Sequence, residues 1–231
     1  MDKTIGSLAD AVAGIGDGAS VMIGGFGGAG APIELIHALI DKGPKNLTVI
    51  NNNAGNGGIG IAAMIDAGMV RKMICSFPRS SDPRAFTDKY IAGDIELELV
   101  PQGTLAERIR AGGAGIPAFY TPTAYGTELA EGKIIAEFDG RPYVQERWLK
   151  ADFALIKAHL GDKHGNLTYR MAARNLIRSC AWLQREPLCR CRKLFRSAAL
   201  NRKMSSRQAS SLTVSLKLQI RSRKKNSFAR E

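Results

Sequence analysis

All 25 glycines of this 231-residue chain fall within its first 175 residues, where they punctuate apolar runs in a rhythm that few folds can satisfy. Leu8, Val12 and Ile15 recur at helical spacing, and Asp17-Gly18 then breaks the chain before a buried-strand run, Ala19 to Ile23. A second helical face starts at Pro32, with Ile33, Ile36, Leu39 and Ile40 in phase and Gly43 as the expected stop. Leu47–Ile50 reads as the next strand, Ile59–Met69 as a helix and Val70–Phe77 as a third strand. Asp82-Pro83 is expected to open a helix as N-cap and first helical residue, with Gly93 closing it. Ile95–Val100 reads as a fourth strand, and Thr104-x-x-Glu107 has the form of a capping box for a helix through Arg110. Strands alternating with helices across short joints predict an α/β domain, a mainly parallel sheet flanked by helices.

From Gly112 to Tyr125 the periodicity dissolves. A hairpin is expected next, Lys133–Phe138 turning at Asp139-Gly140 and returning through Arg141–Val144. Ala151–Ala158 is another apolar strand, and a turn from Gly161 to Asn166 precedes Leu167–Tyr169. The apolar run Ala19–Ile33 carries five glycines and a proline, so no membrane span is expected there. The first residues show no basic lead into an apolar stretch, and no secretory leader is expected. Cys75 is the single cysteine of residues 1–175, which argues against a disulfide framework and for the cytoplasm.

Charge divides the chain at Asn175. The whole sequence has 33 Lys+Arg against 21 Asp+Glu, a net +12. Residues 1–175 hold 18 basic and 19 acidic side chains; residues 176–231 hold 15 basic and two acidic, Glu186 and Glu231. The excess that would point to nucleic acid or an anionic membrane therefore sits wholly in the tail.

Three stretches carry candidate chemistry. Gly24-Gly25-Phe26-Gly27-Gly28-Ala29-Gly30 lies between a strand and a helix, where glycines admit a ligand to the backbone and helix N–H groups face anions. Gly25-x-Gly27-x-x-Gly30 also spells the dinucleotide fingerprint, but that site wants an acidic residue at the end of the second strand. Asn51-Asn52-Asn53 stands there instead, which weakens an NAD-dependent oxidoreductase; a tight joint without ligand is the plainer alternative. The Asn51–Gly57 cluster suits either a polar ligand or an ordinary turn. The third stretch runs from Pro101 through Gln102 to Phe119, with Arg108 and Arg110 readable as a solvated helix face. His159 and His164 flank a turn without ligand-spaced partners beyond Asp162, so no metal is expected; Cys75, within a strand, reads as a buried apolar residue.

The order of GGFGGAG, NNNAGNG, CSFPR and PQGTLAERIRAGGAGIPAFYTPT resembles the A (alpha) subunit of family I CoA-transferases over nearly all of residues 3–175. The resemblance implies a CoA-transferase (NagB/RpiA-like) fold and ping-pong chemistry. A glutamate carboxylate would attack an acyl-CoA thioester, pass through a mixed anhydride to a glutamyl-CoA thioester, and hand CoA to an acceptor acid. In the family that glutamate lies on the B (beta) subunit, in a motif this chain lacks. A CoA-transferase B subunit is therefore implied as partner (a heterodimer or A2B2), and no catalytic nucleophile is expected here. Coenzyme A would enter as a thioester substrate, with no permanently bound cofactor. By motif match Gly24, Gly25, Phe26, Gly27, Gly28, Ala29 and Gly30 form the CoA-contacting loop, while Asn51, Asn52 and Gln102 line the carboxylate side. SFPR and NNAGNG lean toward the branch acting on succinyl-CoA and 3-oxoadipate, with the succinyl-CoA:3-oxoacid branch as the near alternative.

Family members continue past Arg174-Asn175 with another strand and a closing segment, whereas this chain turns basic and Ser-rich. One reading is a nucleic-acid arm. The other is translation out of frame. Joining each residue's last codon base to the next residue's first two lets residues 175 onward spell FDPVM, MAAK and TIVQV with two open positions, and PEDVVTPGIFVD from Asn201. These strings resemble the missing strand and closing segment. The second reading makes 176–231 a poorly structured tail, and predicts a sheet short of one strand with an open edge.

Overall fold

The computed structural model describes residues 2–174, 186–195 and 214–217. In chain order the elements are β1 (Thr4–Ile5), α1 (Leu8–Val12), β2 (Ser20–Ile23), α2 (Ile33–Lys42), β3 (Leu47–Ile50), α3 (Ile61–Asp66) and β4 (Val70–Cys75). There follow α4 (Arg84–Ile91), β5 (Glu96–Leu99), α5 (Gln102–Ala114), β6 (Ala118–Thr121), β7 (Ile135–Phe138) and β8 (Arg141–Arg147). The last are β9 (Phe153–Asp162), β10 (Leu167–Thr168), β11 (Glu186–Phe195) and β12 (Val214–Lys217).

The main sheet runs β1-β12-β11-β9-β2-β3-β4-β5, with β10 folded back on β9. The pairings from β11 to β5 are all parallel, which is the predicted sheet; β12 and β1 are antiparallel at one edge. Alternate side chains of the central strands enter two cores. Val21, Ile23, Val49, Met73 and Leu155 pack with Val12, Leu35, Ile36, Met64 and Phe86, from α1 to α4. Met22, Ile50, Ile74, Ala154 and Ile156 pack on the other face with Leu105 and Ile109 of α5. Burial on both faces explains why these strands read as unbroken apolar runs rather than alternating ones. A separate antiparallel sheet, β6-β8-β7, carries the predicted hairpin, with Asp139 (φ 50°) and Gly140 (φ 72°) in the left-handed turn its twist requires.

Four local expectations are corrected. Pro83, not Asp82, precedes α4 as its cap, and the Asp82 carboxylate is taken by Arg84. Thr104-x-x-Glu107 is no capping box: α5 starts at Gln102 behind Pro101, Thr104 is buried within it, and Glu107 pairs with Arg110. The helix continues through Gly112-Gly113 to a left-handed Gly115, and β6 forms where no periodicity was visible. The open edge expected beside β9 is absent: β11 pairs with β9 from Glu186–Phe153 to Phe195–Asp162, and β12 covers its other side. The rest of the 176–231 tail lies outside the described residues.

Candidate functional site

Parallel strands deliver their following loops to one edge of the sheet, where open α/β folds hold ligands. The loops after β2, β3 and β4 and the start of α5 behind β5 meet there. After β2, the Gly24 N–H donates to the Leu155 carbonyl of β9, which anchors the glycine loop. Phe26 and Ala29 then exchange backbone hydrogen bonds of 3.0 and 3.1 Å, closing a tight turn over Gly27-Gly28. Gly25 needs its glycine: φ is 136°, and a Cβ would meet Ala31 Cα at 3.3 Å. Among the described residues the N–H groups of Gly27 and Gly28 donate to no one, so the turn offers two backbone donors. Phe26 stands half exposed beside them.

The three asparagines after β3 are buried but differ in use. The Asn51 amide donates to Ile23 O (2.6 Å) and its Oδ1 accepts from Asn53 N, so its carboxamide binds β3 to β2. Asn53 Oδ1 accepts from Gly55 N and shapes the turn. Asn52 is the one tied to the other loops. Its Oδ1 accepts from Gln102 Nε2 at 2.7 Å and Ser76 Oγ at 2.9 Å. With the oxygen occupied twice, the Nδ2 group is turned away from both donors and has no partner among the described residues. Asn52 and Gln102, fifty residues apart, are thus brought together, while Asn51 is held in the backbone. A glycine or amide site with outward N–H groups suits a carboxylate or a carbonyl oxygen that gains charge.

Ser76 belongs to the SFPR motif but is not assigned to the site by sequence reasoning; its place at the end of the third strand is the structural signal. Asn56 was likewise hidden inside its cluster. Its Oδ1 accepts from Ser80 Oγ (3.1 Å), Ser81 Oγ (3.0 Å) and Asp82 N (2.7 Å), joining the β3 and β4 loops. Behind it Gly55 (φ 88°) passes so close that a Cβ would lie 2.4 Å from Ala62 N.

Other candidates serve the frame. Burial pushes the Cys75 thiol up to about 12, despite a hydrogen bond from the Phe77 backbone that favours the thiolate. A neutral, fully buried thiol is no nucleophile. Asp162 Oδ1 accepts from His164 N and Asn166 N, which makes this segment a turn holder. Arg108 departs from the solvated-face reading. Its side chain is 14% exposed, pairs with Glu98 at 2.9 Å, lies 3.9 Å from Glu146, and donates to Arg147 O. Burial raises the Glu98 carboxyl, but hydrogen bonds and charge from Arg108 and Lys72 outweigh it and hold the group below its ordinary value. A cavity of about 900 Å³ opens between α1 and α2 and is lined by Leu8, Val12, Ile33 and His37. It lies on the flank of the sheet and includes none of the glycine-loop or amide residues.

The chain is 63% identical over 175 residues to the A subunit of Pseudomonas putida 3-oxoadipate CoA-transferase, covering 76% of each chain. It is 57% identical to the Acinetobacter baylyi protein of the same name, covering 76% of this chain and 77% of that one. Identity is 44% over 199 residues to the A subunit of a probable succinyl-CoA:3-ketoacid coenzyme A transferase of Mycobacterium tuberculosis, covering 78% and 79%. Among solved structures, glutaconate coenzyme A-transferase of Acidaminococcus fermentans shares the fold with a TM-score of 0.74 at 18% identity, covering 84% of this chain and 68% of that one. The decarboxylase AibA/AibB gives the same TM-score at 24% identity, covering 87% and 79%. The Coenzyme A transferase family matches residues 5–186, and the chain belongs to it.

Proposed function

We propose that this chain is the A subunit of a transferase that moves CoA from succinyl-CoA to 3-oxoadipate, releasing succinate and forming 3-oxoadipyl-CoA. The observation that carries the reading is the identity gradient, 63% and 57% to the two 3-oxoadipate enzymes against 52% and 44% to 3-ketoacid enzymes of Xanthomonas campestris and Mycobacterium tuberculosis. The thioester carbonyl is attacked by a glutamate carboxylate of the B subunit; the C–S bond breaks and the CoA thiolate leaves an acyl–glutamyl anhydride. The thiolate then attacks the glutamyl carbonyl and expels succinate. The acceptor carboxylate runs the same two steps in reverse, so no oxidant or reductant enters. In this reading the Gly27 and Gly28 N–H groups face the oxyanion, and Asn52 with Gln102 holds the acyl carboxylate side. The setting is bacterial aromatic catabolism in the cytoplasm.

The test is CoA exchange from succinyl-CoA by the chain co-purified with its B partner, across a panel of 3-oxo acids. Turnover with 3-oxoadipate ahead of acetoacetate is expected, and none from the chain alone. Preference for acetoacetate would move the protein to the 3-oxoacid branch; exchange without the partner would overturn the partner-borne nucleophile.

We also infer that residues 176–231 are read out of frame. A strand bonded on both sides in a parallel sheet calls for apolar residues and every N–H. The β11 position instead reads Glu-Pro-Leu-Cys-Arg-Cys-Arg-Lys-Leu-Phe, with Pro187 unable to donate. With permitted synonymous codons, residues 186–191 can spell Thr-Ile-Val-Gln-Val in the shifted frame, a more apolar strand at the same place. The P. putida match leaves a comparable share of both chains unaligned, as a frame change would. Resequencing this locus decides it: DNA that cannot be read as FDPVM or VTPGIF in the neighbouring frame would sink the inference.

A further inference from the structure

The loops at residues 24–32, 51–60, 76–83 and 100–101, which follow β2 to β5, hold two charged side chains, Arg79 and Asp82. Asp82 is neutralised by Arg84, at 2.9 Å from Nε and 3.1 Å from the second guanidinium nitrogen. Arg79 has no carboxylate partner among the described residues and stands exposed. The rest of this rim is amide, hydroxyl, glycine and apolar surface, so one uncompensated cation dominates its field.

Arg79 also sits on a fixed platform. On one side of it, Ser76 N and Phe77 N both donate to Asn52 O, at 3.2 and 3.0 Å. On the other, Ser80 Oγ donates to Gly55 O at 2.6 Å, and Asn56 Oδ1 gathers Ser80, Ser81 and Asp82 N. Pro78 limits the backbone immediately before it. The segment carrying the guanidinium is therefore bonded on both sides to the asparagine loop whose Asn52 meets Gln102.

A guanidinium binds a carboxylate through two parallel hydrogen bonds, and the pair strengthens once ligand and partner exclude water. Both acids of the proposed reaction are dicarboxylates: one carboxyl reacts, and the other must be held away from the nucleophile. Acetoacetate has no second carboxylate. We propose that Arg79 is the counter-ion for this second carboxylate and sets a preference for dicarboxylic over monocarboxylic 3-oxo acids. This rests on the CoA-transferase reading above.

The experiment is internal competition. The full chain with its B partner, charged from succinyl-CoA, partitions its thioester between 3-oxoadipate and acetoacetate, a ratio independent of the donor half-reaction. Arg79→Gln should lower the 3-oxoadipate to acetoacetate ratio about tenfold, the range of a charge-assisted hydrogen bond. Arg79→Lys should fall between wild type and Arg79→Gln, and the double variant Asp82→Asn/Arg84→Gln, which removes the neighbouring ion pair without baring a charge, should leave the ratio unchanged. An unmoved ratio in Arg79→Gln, or equal loss in the double variant, overturns the proposal. So does a raised KM of Arg79→Gln for succinyl-CoA that disappears with succinyl-dephospho-CoA, since that assigns the guanidinium to the CoA 3′-phosphate. Wild-type complex that exchanges with no acid at all would instead overturn the parent reading, and this one with it.

Discussion

Ser76 acts on the site only through Asn52. Its hydroxyl lies 2.9 Å from Asn52 Oδ1 and 3.1 Å from Asn52 O, so its one proton is shared between two acceptors of the same residue. Removing it leaves Gln102 as the one side-chain donor that keeps the Asn52 oxygen in place, and loosens the carboxamide. Ser76→Ala should therefore lower kcat/KM of the A–B complex about fivefold, the worth of one hydrogen bond, with Ser76→Thr restoring most of it. Unfolding curves of both variants should overlay the wild type; a matching loss of stability would make the role structural. Gly55 is the opposite case, since its demand is steric. With φ at 88° and a hypothetical Cβ 2.4 Å from Ala62 N, Gly55→Ala should cost on the order of 3 kcal/mol in urea unfolding. Neither residue's role is visible in the sequence, although Ser76 opens the SFPR motif. Ser76 lies 24 positions from Asn52, and Gly55 looks like any glycine in a polar turn. The glycine loop and the three asparagines were legible because their residue types advertise backbone approach and hydrogen bonding. Which asparagine faces outward depends on partners supplied by other strands.

At the level of elements, the parallel core was readable wherever apolar periodicity ran unbroken, as in β2, β3 and α2 with its left-handed Gly43. It failed where proline and glycine masked regular backbone. β6 is four residues long between Pro117 and Pro122, and α5 runs through two glycines that sequence rules read as its end. Arg108 of α5 ties the two sheets together, reaching Glu98 of β5 and the Arg147 carbonyl of β8, while Lys133 closes on Glu146 at 2.6 Å. Because Glu146 is buried, removing its cationic neighbour is costly. Arg108→Met should destabilise by about 3 kcal/mol, measured by urea unfolding. Glu98 gives the same network a pH signature. In the folded state its carboxyl titrates below the ordinary glutamate value, so its contribution is complete above that value and is lost as pH falls through the folded one. Acid titrations of stability should be flatter for Glu98→Gln than for wild type over that interval.

Across the whole molecule, the net +12 belongs to residues 176–231, and the 175 residues before them are close to neutral. Restoring the alternative frame should raise the melting temperature and soluble yield of the A–B complex; equal values for both chains would mean that β11 tolerates its present residues. β1 finds its strand partner in β12, so a change of frame reaches the first residues of the chain as well. Cleavage near Gly6 in limited proteolysis is the measurement that reads this coupling. The joining of the β3 and β4 loops by Asn56 has a different consequence. Two segments fastened through one carboxamide oxygen cannot open independently, so the wall they form has its shape before any ligand arrives. The entropy of ordering that wall is lost when the chain folds, and a ligand of these loops would meet a template instead of a closing lid.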